Sequence, residues 1–162
     1  MQGVFLEDDG IKPFITDEEY EGMCKRVEQA HEMLGNKSGK GSDMLGWIDL
    51  PANRDEEEIE RIKKCAERIN KQADVFVVIG IGGSYLGAKA VIDLFDSTFS
   101  NLQTYSERKH PQIIFAGNNL SGKYLRNLVE YLEDKDFAIN VISKSGSTLE
   151  PAVTFRTLKV VL

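Results

Sequence analysis

Residues 75–84 read VFVVIGIGGS, a short run of β-branched and aromatic side chains that ends in glycines. Unbroken apolarity of that length fits a strand buried on both faces, as in a parallel sheet. The glycines that close it free the backbone for a tight turn into a helix over Ser84–Phe95. The pattern recurs twice downstream. QIIFAG (112–117) leads to a helix over Ser121–Leu132, and FAINVI (137–142) passes through SKSGSTLEP to a helix beginning near Leu149. Three strand–loop–helix units in succession predict an α/β fold: a parallel sheet between helices, three layers deep in the order αβα.

Upstream of Val75 the period is helical. Tyr20, Met23, Val27, Ala30 and Leu34 share one face of a helix over Thr16–Leu34, and Thr16 with Glu19 offers a capping box. A second helix over Asp55–Lys71 carries the stripe Ile59, Ile62, Ala66, Ile69 and Ala73, with Glu60/Lys64 and Glu67/Lys71 at i,i+4. Residues 35–54 hold four Gly and a Pro and read as a long structured loop, while residues 1–16 show no period and read as extended or loosely packed. The polar stretch from 96 to Pro111 reads as connection. This organisation divides the chain into a lead-in, 1–73, and a sheet region, 74–162. The last helix stops at Lys159–Leu162 without a C-cap Gly or polar tail, and three strands are few for such a sheet, so the chain reads as the N-terminal piece of a longer protein. A complete small domain is the alternative.

Among 162 residues, 20 Lys and Arg stand against 26 Asp and Glu, a formal charge of −6. A nucleic-acid or anionic-membrane binder needs the opposite balance. Hydrophobic residues at 41 % and charged residues at 28 % suit a globular chain, with no apolar run near the roughly 20 residues that span a bilayer. MQGVFLEDDG lacks the features of a secretory signal, and Cys24 and Cys65 have no Cys or His neighbours at metal spacing. A cytoplasmic protein without nucleic-acid, membrane or metal chemistry is expected.

Two loops carry the chemistry. Gly80–Gly87 (GIGGSYLG) places several N–H groups at a helix start, where the partial positive charge favours an anion. The dinucleotide fingerprint fails because Tyr85 stands in place of the third Gly and no acidic residue follows the second strand. Gly82–Gly87 and Gly117–Tyr124 both miss the ATP-binding G-x-x-x-x-G-K-[ST] pattern; Ser121 reads as a helix cap and Tyr124 as core. Ser143-Lys144-Ser145-Gly146-Ser147-Thr148 offers four hydroxyls where a cap needs one, a surplus suited to a phosphate. A strand order of 2-1-3, as in flavodoxin-like sheets, makes strands 1 and 3 neighbours whose helices leave to opposite faces. Both loops then line one crevice, where α/β ligands usually bind. A phosphorylated metabolite taken without metal or cofactor is the expected ligand.

VVIGIGGSYLGAKA together with NVISKSGSTLEPA resembles the glucose-6-phosphate isomerase family, in the short form typical of Firmicutes, and GSDMLGWIDLP and FAGNNLS fit the same pattern. The likeness spans about residues 20–162. It implies a sugar isomerase (SIS) domain in a cytosolic homodimer that interconverts glucose 6-phosphate and fructose 6-phosphate through an enediol. It implies phosphate contacts at Gly83, Ser84, Ser143, Ser145 and Thr148, with Lys144, Gly146 and Ser147 completing the turn. The Glu base and the Arg, His and Lys that assist it are expected beyond residue 162, so no catalytic residue is assigned here. A non-catalytic sugar-phosphate-binding SIS module is the alternative. The remaining candidates read as structural: His31 at a helix boundary, His110 solvated, Lys89 a surface charge, Glu150 a first-turn carboxylate and Trp47 an anchor for the long loop.

Overall fold

A computed structural model describes residues 5–162; the first four residues of the lead-in lie outside the described residues. The chain forms two compact units, one ending at Asp55 and the other spanning Glu56–Leu162.

In the first unit, α1 (Asp17–Gly35) starts from a complete capping box. The Thr16 N–H and hydroxyl donate to the Glu19 carboxylate at 2.9 and 3.0 Å, and the Glu19 N–H returns a bond to the Thr16 hydroxyl at 3.2 Å. The lead-in is more ordered than its lack of period suggests. Residues Lys12–Phe14 make a 3₁₀ turn, Lys12 pairs with Asp9 at 2.6 Å, and the Tyr20 hydroxyl donates to Asp8. Holding that proton against a carboxylate pushes the Tyr20 phenol up to about 12. The long loop contains 3₁₀ turns at Ser42–Met44 and Gly46–Asp49 and is closed by a Lys37–Asp49 ion pair. Trp47 does not anchor it: its side chain is 60 % exposed, and the ion pair fastens the loop instead.

The second unit runs α2 (Glu56–Gln72), β1 (Val75–Ile79), α3 (Gly83–Phe95), α4 (Tyr105–Arg108), β2 (Gln112–Ala116), α5 (Gly122–Leu132), β3 (Phe137–Val141) and α6 (Leu149–Leu158). The three strands form a parallel sheet in the order β2-β1-β3, with Val75 opposite Gln112 and Phe137 and Ile79 opposite Ala116 and Val141. Asp74 joins the strands at their start: its carbonyl accepts from Gln112 N–H, and its N–H donates to the Asp136 carbonyl.

One face of the sheet is the core. Val75, Val77 and Ile79 are fully buried against Ala116, Leu128 and Leu132 of α5, and Leu158 of α6. Each of the Val, Ile and Leu side chains contributes roughly 1.5–3 kcal/mol by leaving water. On the other face, Tyr85 of α3 packs its ring against Phe115 at 5.6 Å. There Ile62, Ala66 and Ile69 of α2 line a groove of about 790 Å³ with Phe76, Ile113 and Ala138. On α2, Glu60 pairs with Lys63 at 2.7 Å, one position short of the spacing expected for it.

The connection from 96 to 111 is not featureless. It holds a 3₁₀ turn at Ser100–Leu102 and the short helix α4, whose Thr104 N–H and hydroxyl donate to Glu107 at 2.8 and 2.7 Å. Asn101 reaches the outer edge of β2, donating to the Ile113 carbonyl at 3.1 Å and accepting from its N–H at 3.2 Å. His110 is half-buried rather than solvated, with Nδ1 2.8 Å from the Pro111 carbonyl and Nε2 3.4 Å from Asp96.

Both capping carboxylates are held below the usual carboxylate range, Glu19 first by the Thr16 N–H and Glu107 first by the Thr104 hydroxyl. A carboxyl with a lowered folded-state pKa stabilises above its unfolded value, and that contribution fades as pH falls through the folded value. Amide resonances of Thr16 and Thr104 should therefore shift on acidification with midpoints below about 4.5, the ordinary glutamate value. Midpoints at or above it in an NMR titration would contradict the boxes.

Candidate functional site

Because β1 lies between the other two strands and all run parallel, the three loops that follow them emerge at the same end of the sheet. The β1 and β3 loops share a foot. Past the end of the paired strands, Ile142 N–H donates to the Ile79 carbonyl at 2.9 Å. Gly80 then sits so close that an added Cβ would lie 3.3 Å from Ser84 Cβ and 3.4 Å from the Ile142 carbonyl. The β2 loop closes in from the other side. Gly117, at φ +80°, would place a Cβ 2.8 Å from Ile79 Cγ2 and 3.2 Å from Pro151 Cα. Position 117 thus tolerates only glycine, for its backbone angle and for its neighbours.

In the first loop, Gly82 takes φ +55° and lets α3 begin at Gly83 with no side chain capping it. The Ser84 and Tyr85 N–H groups are taken up by turn bonds to the Ile81 and Gly82 carbonyls, both at 3.2 Å. The third loop turns at Gly146, φ +71°. Gly146 N–H donates to Ser143 Oγ at 2.9 Å, and Ser145 Oγ accepts from Ser147 N–H at 3.3 Å and from its hydroxyl at 3.0 Å. Used as acceptors within the turn, the Ser143 and Ser145 hydroxyls keep their own protons to donate outward.

Thr148 is the N-cap of α6, yet its side chain makes no capping bond. Leu149 and Glu150 N–H groups therefore keep the orphan status of first-turn donors, and Pro151 has no N–H. The N-terminus of α5 differs. Ser121 accepts there from Tyr124 N–H at 3.2 Å, and the Tyr124 hydroxyl donates to the Phe115 carbonyl at 2.9 Å, so Ser121 is a cap and Tyr124 is core. Of the three helices that follow strands, α5 is capped by its own side chain, whereas α3 and α6 start without a side-chain cap.

The eight residues singled out in the sequence thus lie on two loops with a common base. Ser143–Ser147 and Gly83 are exposed, Ser84 and Thr148 half-buried. Among the described residues the two loops meet through their shared foot rather than through a hydrogen bond to each other. Sequence reasoning missed Gly117, whose crowding arises only from distant residues. It also missed Asn118, whose side chain lies 3.4 Å from the Tyr85 hydroxyl. Lys89 pairs with Asp93 at 2.5 Å and lies 5.9 Å from the Phe115 ring centre. His31 is exposed, and Glu150 sits in the first turn of α6. No cluster of His, Cys, Asp and Glu among the described residues could hold a metal ion, and no helix there is long and apolar enough to cross a membrane.

No family model matches this chain. Among curated proteins it is 57 % identical over 152 residues to glucose-6-phosphate isomerase of Streptococcus gordonii. It is 56 % identical to the enzyme of the same name from Streptococcus pneumoniae serotype 19F and 55 % identical to that of Streptococcus thermophilus. Each match covers 94 % of this chain and 34 % of the relative, so the chain spans about a third of the length of the curated relatives it matches. In structure it is similar to a hypothetical protein from Thermus thermophilus. The TM-score is 0.65 at 28 % identity, over 90 % of this chain and 31 % of that one.

The crowding at Gly117 sets a test of the loop base. Gly117→Ala should destabilise the fold by about 1–3 kcal/mol in urea unfolding, through a strained φ and the contacts with Ile79 and Pro151. Gly122→Ala, where an added Cβ meets nothing within 4 Å, should stay within about 0.5 kcal/mol. Equal effects would show that the loops are not braced at Gly117.

Proposed function

We propose that this chain is the phosphate-gripping portion of a glucose-6-phosphate isomerase, and that residues 74–162 are the first part of its SIS domain. Identity above one half with curated enzymes of that name supports the reading of the family. The observation that carries the reading of the site is the common foot at Ile79 and Ile142. It brings the start of α3 close to the hydroxyl-rich turn before α6, and neither helix has a side-chain cap.

The division of labour follows from the chemistry. A sugar phosphate presents a terminal group with three oxygens, and donors from Gly83, Ser84, Ser143, Ser145 and Thr148 and from the Leu149 and Glu150 N–H groups suit it. Lys144 adds a cation, while Gly146 and Ser147 shape the turn. The isomerisation itself moves a proton between C1 and C2. It needs a positioned base and a partner for the developing oxyanion. These loops provide hydroxyls, N–H groups and a lysine, which grip an anion but do not abstract a carbon-bound proton. In this reading the 162-residue chain binds the phosphate without turnover, needs no cofactor, acts in the cytoplasm and pairs with a second copy of itself.

Chemical-shift titration of the chain with glucose 6-phosphate, fructose 6-phosphate and sulfate tests the proposal. Shifts are expected at Gly83, Ser84, Ser145 and Thr148 with all three ligands and little preference between the two sugars, and Ser84→Ala with Thr148→Ala should abolish them. A coupled assay should find no turnover, since lost acid–base catalysis alone costs about 10²–10⁴-fold. Shifts clustered at Gly122 and Lys123, or enzyme-like turnover, would overturn the assignment.

A further inference from the structure

The polar side chains after β2 form a line of hydrogen bonds that runs from the start of α5 to the start of α3. It begins at a group that can only donate, the Ser121 N–H, which bonds to Asn119 Oδ1 at 2.9 Å. That fixes the Asn119 amide, whose Nδ2 then donates to Asn118 Oδ1 at 2.8 Å. Asn118 is fixed in turn, and its Nδ2 donates to the Tyr85 hydroxyl at 3.4 Å. Both ends of this strap are anchored. Ser121 caps α5 by accepting from Tyr124 N–H, and the Tyr124 hydroxyl donates to the Phe115 carbonyl. Tyr85 packs its ring on that of Phe115, with centroids 5.6 Å apart.

The strap ends on the first turn of α3, which is thinly supported. Gly82 and Gly83 are exposed, a Cβ at position 82, 83 or 87 would meet nothing within 4 Å, and no side chain caps the helix. The Ser84, Tyr85 and Leu86 N–H groups bond within the turn, to the Ile81 and Gly82 carbonyls. Tyr85 is the first large side chain of α3, directly after Ser84, and it ties that turn to the β2 side of the sheet. We infer that Asn118 is a positioning residue for the phosphate site: through Tyr85 it sets the first turn of α3, and with it the place where Ser84 presents its hydroxyl. The inference rests on the reading of the site proposed above. A binding constellation must be held to within about 0.5 Å by side chains whose own orientations are locked, and the strap locks this one. Asn118 acts through Tyr85 rather than by touching the phosphate.

Titration of the 162-residue chain and its variants with inorganic phosphate, followed by amide chemical shifts, tests this. Asn118→Ala and Tyr85→Phe each remove one end of the same bond, and each should weaken phosphate binding by about two- to tenfold. The double variant should bind no more weakly than either single one, because both changes delete one link. In the ligand-free variants the Gly83 and Ser84 amides should shift alike while those of Ser145 and Ser147 stay in place, a pattern that general loosening of the fold would not give. Tyr85→Phe keeps the ring on Phe115 and carries the test if Asn118→Ala fails to fold. Wild-type affinity in a folded single variant, additive losses in the double variant, or unmoved Gly83 and Ser84 amides would each overturn the inference while leaving the site itself standing. A wild-type chain that takes up no phosphate would overturn the reading of the site, and this inference with it.

Discussion

Five residues, Val75–Ile79, must find hydrogen-bond partners on two sides and packing partners on two faces, and the rest of the second unit is arranged around that demand. Parallel neighbours on both sides consume the backbone groups of β1, in register from Val75 to Ile79. Burial of Val75, Val77 and Ile79 requires α5 and α6 on one face, while α2 and the α3 ring contact lie on the other. Parallel pairing about a central strand also obliges all three following loops to leave from one end. The meeting of the β1 and β3 loops through the Ile142–Ile79 bond is a by-product of that constraint, not a separate construction.

The three strand-to-helix junctions share a topology and differ in chemistry. After β2, Ser121 spends its side chain on its own helix. After β1 and β3 the helices start uncapped, at Gly82 and Thr148, and a surplus of hydroxyls is folded into the turn before α6. In the proposed function the phosphate takes its donors from these β1 and β3 junctions. Gly117, at the β2 junction, fits where no side chain could between Ile79 and Pro151.

Much of this could be read from the chain. The strands announced themselves through continuous β-branched runs, and α1 through Thr16 and Glu19. What stayed hidden depends on distant partners. Nothing in the string around Asn101 shows that it will seal the edge of a strand twelve residues away. The capping box of α4, Thr104 with Glu107, was legible but short enough to pass as polar connection. Trp47 looked like an anchor because large aromatics usually bury, yet it stands in the open. Glu60 met Lys63 rather than Lys64 because both lie within reach on a helix surface and side-chain torsions choose between them.

The central claim is that the β1 and β3 junctions, acting together, hold a phosphate. An anomalous difference map from crystals of this chain soaked in tungstate, a heavy analogue of phosphate, tests that directly. The account predicts a peak between the β1 and β3 loops, within hydrogen-bond reach of Ser84 and of donors from Ser145 to Leu149. A peak at Ser121–Lys123 with none in that crevice would contradict it.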